Sequence, residues 1–293
     1  MTLLPGEDCI LMYHGTPRRH AARLARQLRA IAFLFDVVPL GALASRVARG
    51  ERAGRRRLAL TFDDGLRSNV QVAYPILREL GLPATFFVCP GLIDEGRWLW
   101  THEARQRLGS LPREALSELG RAVGAPAEAH ADALVQWMKT RKLAERRRIE
   151  QAIRAATPRF VPRAAEREAY DLAGWDELAM LDPRIVSIGS HTLTHPILTS
   201  LGADELDREV RESRSRIEAK LGRPATLFCY PNGELDALTL AATRRCYAAA
   251  VTVEEASLDE DVDPYRLPRL ATEPDQSLRL ARHLAFPGVR RAA

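Results

Sequence analysis

Two acids side by side and two histidines four apart are the residues of this chain whose types and spacing could do chemistry. Asp63 and Asp64 lie in Thr61-Phe62-Asp63-Asp64-Gly65, and His191 and His195 in His191-Thr192-Leu193-Thr194-His195. Adjacent residues leaving a strand point in different directions, so one carboxylate of such a pair can bind a metal while its neighbour reaches the water that the metal activates. Two imidazoles and one carboxylate form an open site for zinc or a similar divalent ion, with room for water and a substrate oxygen. Pro196 directly follows His195 and disfavours helical geometry there, which puts the histidines on a loop. Two more segments could serve the same chemistry. The turn Phe228-Cys229-Tyr230-Pro231-Asn232-Gly233 can offer a backbone N–H to an oxyanion, with Tyr230 as an aromatic wall. Leu11-Met12-Tyr13-His14-Gly15 delivers His14 to a strand end, where it could act as an acid. Taken singly, each motif also has a plain structural reading, as a solvated turn or a hydrogen-bonded rim histidine.

The elements that must position these residues are short, apolar and β-prone: residues 9–13, 58–62, 84–88, 185–188, 226–230 and 248–253. Helical patterns separate several of them, the signature of β/α alternation and a mostly parallel sheet. Leu206, Val210, Ile217 and Leu221 mark one face of a helix from about residue 204, stopped by Gly222 and Pro224. Val70, Ala73, Leu77 and Leu80 before Gly81 mark another, with Pro75 in its early turn or at a kink. Residues from about 94 to 170 read differently. They are rich in Arg, Ala and Glu, hold Trp98, Trp100 and Trp137, and show helical stretches near 113–123 and 131–155. This is a helical insertion that leaves one strand end and returns before the next, a candidate cap facing the substrate. Its tryptophans serve either to pack it onto the barrel or to stack on a sugar.

The 293 residues are 46% hydrophobic and 28% charged, the balance of a globular chain with a sizeable core. Lys and Arg number 43 against 38 Asp and Glu, a net charge of +5. There is no zinc-finger spacing, no aromatic RNA-binding signature and no long basic tail, so the arginine runs read as solvated surface and not as a nucleic-acid site. Attraction to an anionic substrate or membrane surface stays open. Cys9, Cys89, Cys229 and Cys246 form no C-x-x-C pair and are expected as reduced thiols. No segment approaches a membrane span, and residues 1–15 lack the pattern of a secretory leader, so the expected location is cytoplasmic or peripheral to the inner face of the membrane.

Together the motifs resemble the polysaccharide deacetylase family, the NodB-homology group of carbohydrate esterase family four. The resemblance runs from about residue 9 to 268, the insertion excepted. Thr61 to Gly65 matches the family's T-F-D-D-G motif, and His191 to His195 its H-[ST]-x-x-H motif, in the family's order. It implies a distorted (β/α) barrel of α/β class, a single catalytic domain over 1–293 with the insertion at about 94–170. By the same resemblance Asp63 is the general base, and Asp64, His191 and His195 hold one divalent ion, zinc by preference, with cobalt or nickel able to occupy the same ligands. The turn at Tyr230 is similar to the F-x-Y-P-x-G form of the branch that includes poly-N-acetylglucosamine deacetylases, in which an early M-Y-H segment supplies the acid. Met12-Tyr13-His14 fits that arrangement, and His283 remains a rival acid. Tyr265-Arg266-Leu267-Pro268-Arg269 resembles a late segment of this branch, and Arg266 is assigned to orienting the catalytic carboxylate or the substrate.

The expected activity is therefore hydrolysis of an N-acetyl group on an amino sugar, in a glycan, a glycolipid or a lipid-linked or anionic precursor, releasing acetate and a free amine. A hydrolase of non-sugar amides or O-acetyl esters, and an inactive carbohydrate-binding relative, are the alternatives. The sequence leaves the oligomeric state open.

Overall fold

Side chains that alternate between two buried faces make a strand apolar throughout when a parallel sheet is covered on both sides, and that is how the short runs of this chain fold. The computed structural model describes residues 8–51, 56–126, 130–256, 258 and 262–274. Among these residues eight parallel strands are present: β1 (Cys9–Tyr13), β2 (Asp36–Val37), β3 (Arg57–Phe62), β4 (Ala84–Val88), β5 (Val186–Ser190), β6 (Leu227–Cys229), β7 (Ala249–Val251) and β8 (Leu270–Ala271). Their order is β7-β6-β5-β4-β3-β1-β8, with β2 beside the start of β3. The sheet curls into a distorted (β/α) barrel. Its two margins are joined by the segment before β8, in which the Leu267 N–H donates to the Ala250 carbonyl at 3.0 Å while β8 pairs with β1.

The helices are α1 (Ala21–Leu34), α2 (Leu40–Ala48), α3 (Tyr74–Leu80), α4 (Pro90–Glu95), α5 (Trp100–Gly109), α6 (Arg113–Ala122), α7 (Ala131–Lys139), α8 (Leu143–Ala156), α9 (Ala164–Tyr170), α10 (Trp175–Ala179), α11 (Ala203–Asp207), α12 (Ser213–Leu221) and α13 (Ala237–Cys246). Leu11, Tyr13, Leu58, Leu60 and Phe62 face outward and pack under Leu24, Leu28 and Ile31 of α1 and Leu77 of α3. Ile10, Ala59, Phe87, Leu227, Cys229, Val251 and Leu267 form a second, inner cluster joined by Leu40 and Leu43 of α2. This alternation decides the site. Counting by twos from Ala59 puts Thr61 and Asp63 on the inner face.

Between β4 and β5 the chain runs through α4 to α10. Trp100, Leu108, Leu134, Val135, Met138, Ile149 and Ile153 of α5, α7 and α8 form a core of their own. The single helical stretch expected over 131–155 is two helices, separated at Thr140-Arg141-Lys142. Pro75 sits in the first turn of α3, where its missing N–H is harmless. The helix expected from residue 204 is α11 and α12 joined by a π-turn at Arg208–Glu212. Among the described residues no helix is long and apolar enough to cross a membrane, and Cys9, Cys89, Cys229 and Cys246 are all free thiols.

Gly189 of β5 has no room for a side chain: a Cβ there would stand 2.5 Å from the Phe87 ring and 3.0 Å from the Leu227 carbonyl. Phe87 is fully buried inside the barrel and has nowhere to go. Gly189→Ala is expected to destabilise the protein by about 1–3 kcal/mol through overpacking, read as a lower urea midpoint. An unchanged midpoint would mean that the barrel wall gives more easily than this packing implies.

Candidate active site

The ladder between β1 and β3 continues one residue past the strands, with the Asp63 N–H donating to the Tyr13 carbonyl at 2.9 Å. Asp63 therefore leaves β3 in register, pointing inward. Arg269 meets it there in a bidentate pair, Nη1 to Oδ1 at 2.8 Å and Nη2 to Oδ2 at 2.7 Å. The two side chains are 2% and 0% exposed. The remaining donors of the guanidinium are also used, Nε on the Thr252 carbonyl and Nη1 on Thr61 Oγ1. Burial alone would raise the Asp63 carboxyl, but the charge and hydrogen bonds of Arg269 outweigh it and hold the group below the usual carboxylate range.

Asp64 turns the other way because its backbone is left-handed, φ 72°, followed by Gly65 at φ 66°. Its Oδ1 lies 3.6 Å from His191 Nε2 and 3.7 Å from His195 Nε2, too far for hydrogen bonds. His191 Nδ1 contacts the Cys229 carbonyl at 2.8 Å. A carbonyl can only accept, so Nδ1 carries a proton and Nε2 is the nitrogen turned toward Asp64. Burial would lower this imidazole, but Cys229 and the Asp64 and Asp63 groups raise it well above its ordinary value, so a proton occupies Nε2 until a cation takes its place. His195 is also left-handed, φ 58°, as is Thr192 at φ 66°. Burial, then the neighbouring His191 charge, pushes the His195 imidazole down to about 3, so it stays neutral and able to donate a lone pair.

The loop that carries both histidines is held from two sides. Thr194 donates its N–H and its hydroxyl to the Glu209 carboxylate at 2.8 and 2.6 Å. The Leu193 N–H donates to the Glu209 carbonyl, which lies in the π-turn between α11 and α12. From the inserted helices, Trp100 Nε1 donates to the His195 carbonyl at 3.0 Å, with Arg146 of α8 stacked 4.5 Å over the Trp100 ring. Backbone strain of this kind persists only where surroundings over-determine it.

Among the described residues two sets of three donors lie close enough to hold an ion: Asp64, His191 and His195, and Asp63, His191 and Cys229. The first set fits a divalent metal. Its atoms converge without bonding one another, at separations near the roughly 3.3 Å between ligands around a tetrahedral zinc. The second set already has its cation, because Arg269 bonds both Asp63 oxygens and Cys229 Sγ, the latter at 3.1 Å. An ion there would face a buried guanidinium.

His14, at the end of β1, is exposed, and its charge acts on both Asp63 and Asp64. His283 lies outside the described residues. Two expectations are corrected. Of the two roles expected of Arg266, the one on the carboxylate belongs to Arg269, three residues on; Arg266 itself is exposed and lines a cleft of about 290 Å³ with Glu234 and Glu254. Tyr230 is not a wall of the site, since its ring is fully buried and its hydroxyl donates to the Tyr265 carbonyl. Its N–H donates to the Val251 carbonyl at 3.2 Å, so it has no free bond for an oxyanion. Trp98 and Trp100 are buried and take packing roles: Trp98 Nε1 donates to Asp171 and Trp100 holds the histidine loop. Sequence reasoning passed over Arg269, although a lone arginine between Leu267-Pro268 and Leu270 is the pattern of a buried cation. It also passed over Glu209 and over His102 of α5, whose charge acts on Asp64 and His195.

Comparison with known proteins matches a polysaccharide deacetylase family model to residues 50–251, more than half of the chain. YxkH of Bacillus subtilis (strain 168), which carries a polysaccharide-deacetylase name, is 22% identical over 281 residues, 93% of this chain and 74% of that one. Among solved structures, the Streptococcus pyogenes deacetylase PplD in complex with acetate superposes with a TM-score of 0.64 at 18% identity, covering 96% of this chain and 99% of that one. IcaB from Ammonifex degensii gives 0.61 at 16% identity, covering 96% and 98%. At these identities the two structures speak for the fold.

Removing one partner of the buried pair leaves the other uncompensated, at roughly 3–5 kcal/mol. Arg269→Met is expected to destabilise the protein by about that amount at neutral pH. The sign of its pH dependence follows from Asp63. A carboxyl held low in the fold contributes stability that is present above its unfolded pKa and lost as pH falls through its folded pKa. The deficit of Arg269→Met should therefore shrink as pH is lowered through the carboxylate range, in urea denaturation repeated across pH. A deficit independent of pH would deny that Arg269 acts through the charge of Asp63.

Proposed function

The chain belongs to the polysaccharide deacetylase family, and from that premise we propose that it is a metal-dependent hydrolase that removes the N-acetyl group of an amino sugar, releasing acetate and a free amine. The observation that carries this reading is the convergence of Asp64 Oδ1, His191 Nε2 and His195 Nε2 beside a carboxylate locked by Arg269. Barrel and inserted helices act as one catalytic domain.

Asp64, His191 and His195 hold the ion, zinc being the best match to two imidazoles and a carboxylate, with cobalt or nickel as substitutes. When bound, a divalent ion supplies Lewis acidity, acidifying water and polarising the acetamide carbonyl. Asp63, held below the usual carboxylate range by Arg269, is a weak base suited to water that is already acidified. Asp63 stays ionised and aimed by Arg269, and it takes the proton of the attacking water. His14, on the open side of the two acids, gives a proton to the departing amine. The acetyl–nitrogen bond breaks, water's oxygen ends in acetate, and the sugar leaves as the amine.

Acetate release from N-acetylated amino-sugar oligosaccharides tests this reading. Wild type is expected to hold about one ion per chain by elemental analysis and to release acetate. Asp63→Asn should keep the ion and lose a factor on the order of a hundred to ten thousand in kcat. His191→Ala should lose both ion and turnover. A metal-loaded wild type that releases no acetate from any N-acetylated sugar would sink the assignment.

A further inference from the structure

Lys139, the last residue of α7, crosses from the inserted helices to the barrel, where its Nζ donates to Asn232 Oδ1 at 2.9 Å. The side chain is half-buried and has no carboxylate within ion-pair distance among the described residues. The nearby charges do not compensate it. Burial first, then the charge of Arg105, pushes its ammonium down, and Glu234 acts only from longer range. Arg105 itself is paired with Asp132.

Two polar atoms are buried with no partner among the described residues: Nδ2 of the same Asn232, and Nδ1 of His102 on α5, the helix that packs on α7. The orientation of Asn232 is set by Lys139, since an ammonium can only donate and must face the amide oxygen. Both hydrogens of Nδ2 are therefore free. Asn232 holds a left-handed backbone, φ 54°, in the turn that begins at Tyr230, directly after the Cys229 whose carbonyl fixes the ring of His191. His102 rests on Tyr170, with ring centroids 4.6 Å apart. Burial lowers its imidazole first, and the charges of Asp64 and, more weakly, Lys139 also act on it.

An uncompensated cation, an unused amide donor and an unpartnered imidazole nitrogen each cost stability, and a fold keeps such groups for a ligand that supplies what is missing. Here that is negative charge and hydrogen-bond acceptors, next to the donors of the proposed metal centre. We propose that Lys139, Asn232 and His102 form a subsite for an anionic oxygen group, phosphate or carboxylate, carried on the substrate beside its acetamide. The proposal rests on the deacetylase reading and narrows it: the preferred substrate is an anionic N-acetylated saccharide, recognised by the inserted helices.

The test compares acetate release from three N-acetylated saccharides that differ in one neighbouring group, a hydroxyl, a phosphate ester or a carboxylate. Charge-assisted hydrogen bonds are strong enough for a preference of roughly tenfold or more in kcat/KM. Wild type is expected to favour a charged substrate over the neutral one by that factor, and the favoured one identifies the anion. Lys139→Met should erase the preference through KM, and Lys139→Arg should retain most of it. Equal use of all three substrates by wild type overturns the subsite. So does a loss in Lys139→Met that falls equally on charged and neutral substrates, because a structural strut to Asn232 would give that result. If none of the three yields acetate, the deacetylase reading fails by itself, and the subsite is judged by calorimetric binding of inorganic phosphate. Tighter binding to wild type than to Lys139→Met supports it, and equal or absent binding overturns it.

Discussion

A fully buried carboxylate and a fully buried guanidinium face each other inside the barrel, and the rest of the site is arranged around that pair. Bringing two charges out of water costs several kcal/mol per ion, and apolar residues of similar volume often do as well or better for stability. The chain nevertheless spends every donor direction of Arg269 on Asp63, Thr61, Thr252 and Cys229. The result is a carboxylate that is ionised, dry and immobile. Arg269 can reach it only because the segment before β8 ties the margin of β7 to β1, so closure of the barrel and placement of this carboxylate are one event. Once Asp63 is committed to the inside, Asp64 must turn outward, and its left-handed backbone is the means.

The opposite side of the site is built by constraint as well. His191 and His195 sit on a loop with two left-handed residues, kept in place by Glu209 and by Trp100 of the inserted helices. The insertion thus takes part in the histidine geometry, while its Lys139 and His102 leave polar groups unsatisfied beside it. A rigid site with an under-satisfied rim is what substrate recognition needs: fixed donors where the chemistry occurs and unspent interactions where selectivity is set.

The strands that carry the site were legible because each is a continuous apolar run covered on both faces. The runs at 9–13 and 84–88 fold as β1 and β4 with those bounds, and the others within two residues at each end. β2 and β8, two residues each, are too short for any periodicity. The acids and histidines were legible from their types and order, and their convergence adds the distances. Arg269 was missed in favour of Arg266 because a sequence does not say which of two nearby arginines faces inward; alternation decides it, and the segment that carries them is a bridging strand margin without a readable period. Tyr230 was misread for a related reason: its N–H is consumed by pairing with Val251, a long-range contact that local sequence cannot encode. His102 and Lys139 come from helices with their own core, so their direction toward the barrel depends on how that core docks.

The central claim is that the ion is held by two imidazoles and the carboxylate of Asp64, while Asp63 and Cys229 stay with Arg269. The two possible ligand sets share His191 and differ in one atom type, so X-ray absorption at the zinc edge on stoichiometrically loaded protein separates them most directly. The account predicts only nitrogen and oxygen neighbours, at about 2.0–2.2 Å. A sulfur neighbour at about 2.3 Å would place the ion on Cys229, displace Arg269 from the carboxylate, and contradict the assignment of Asp63 as the base.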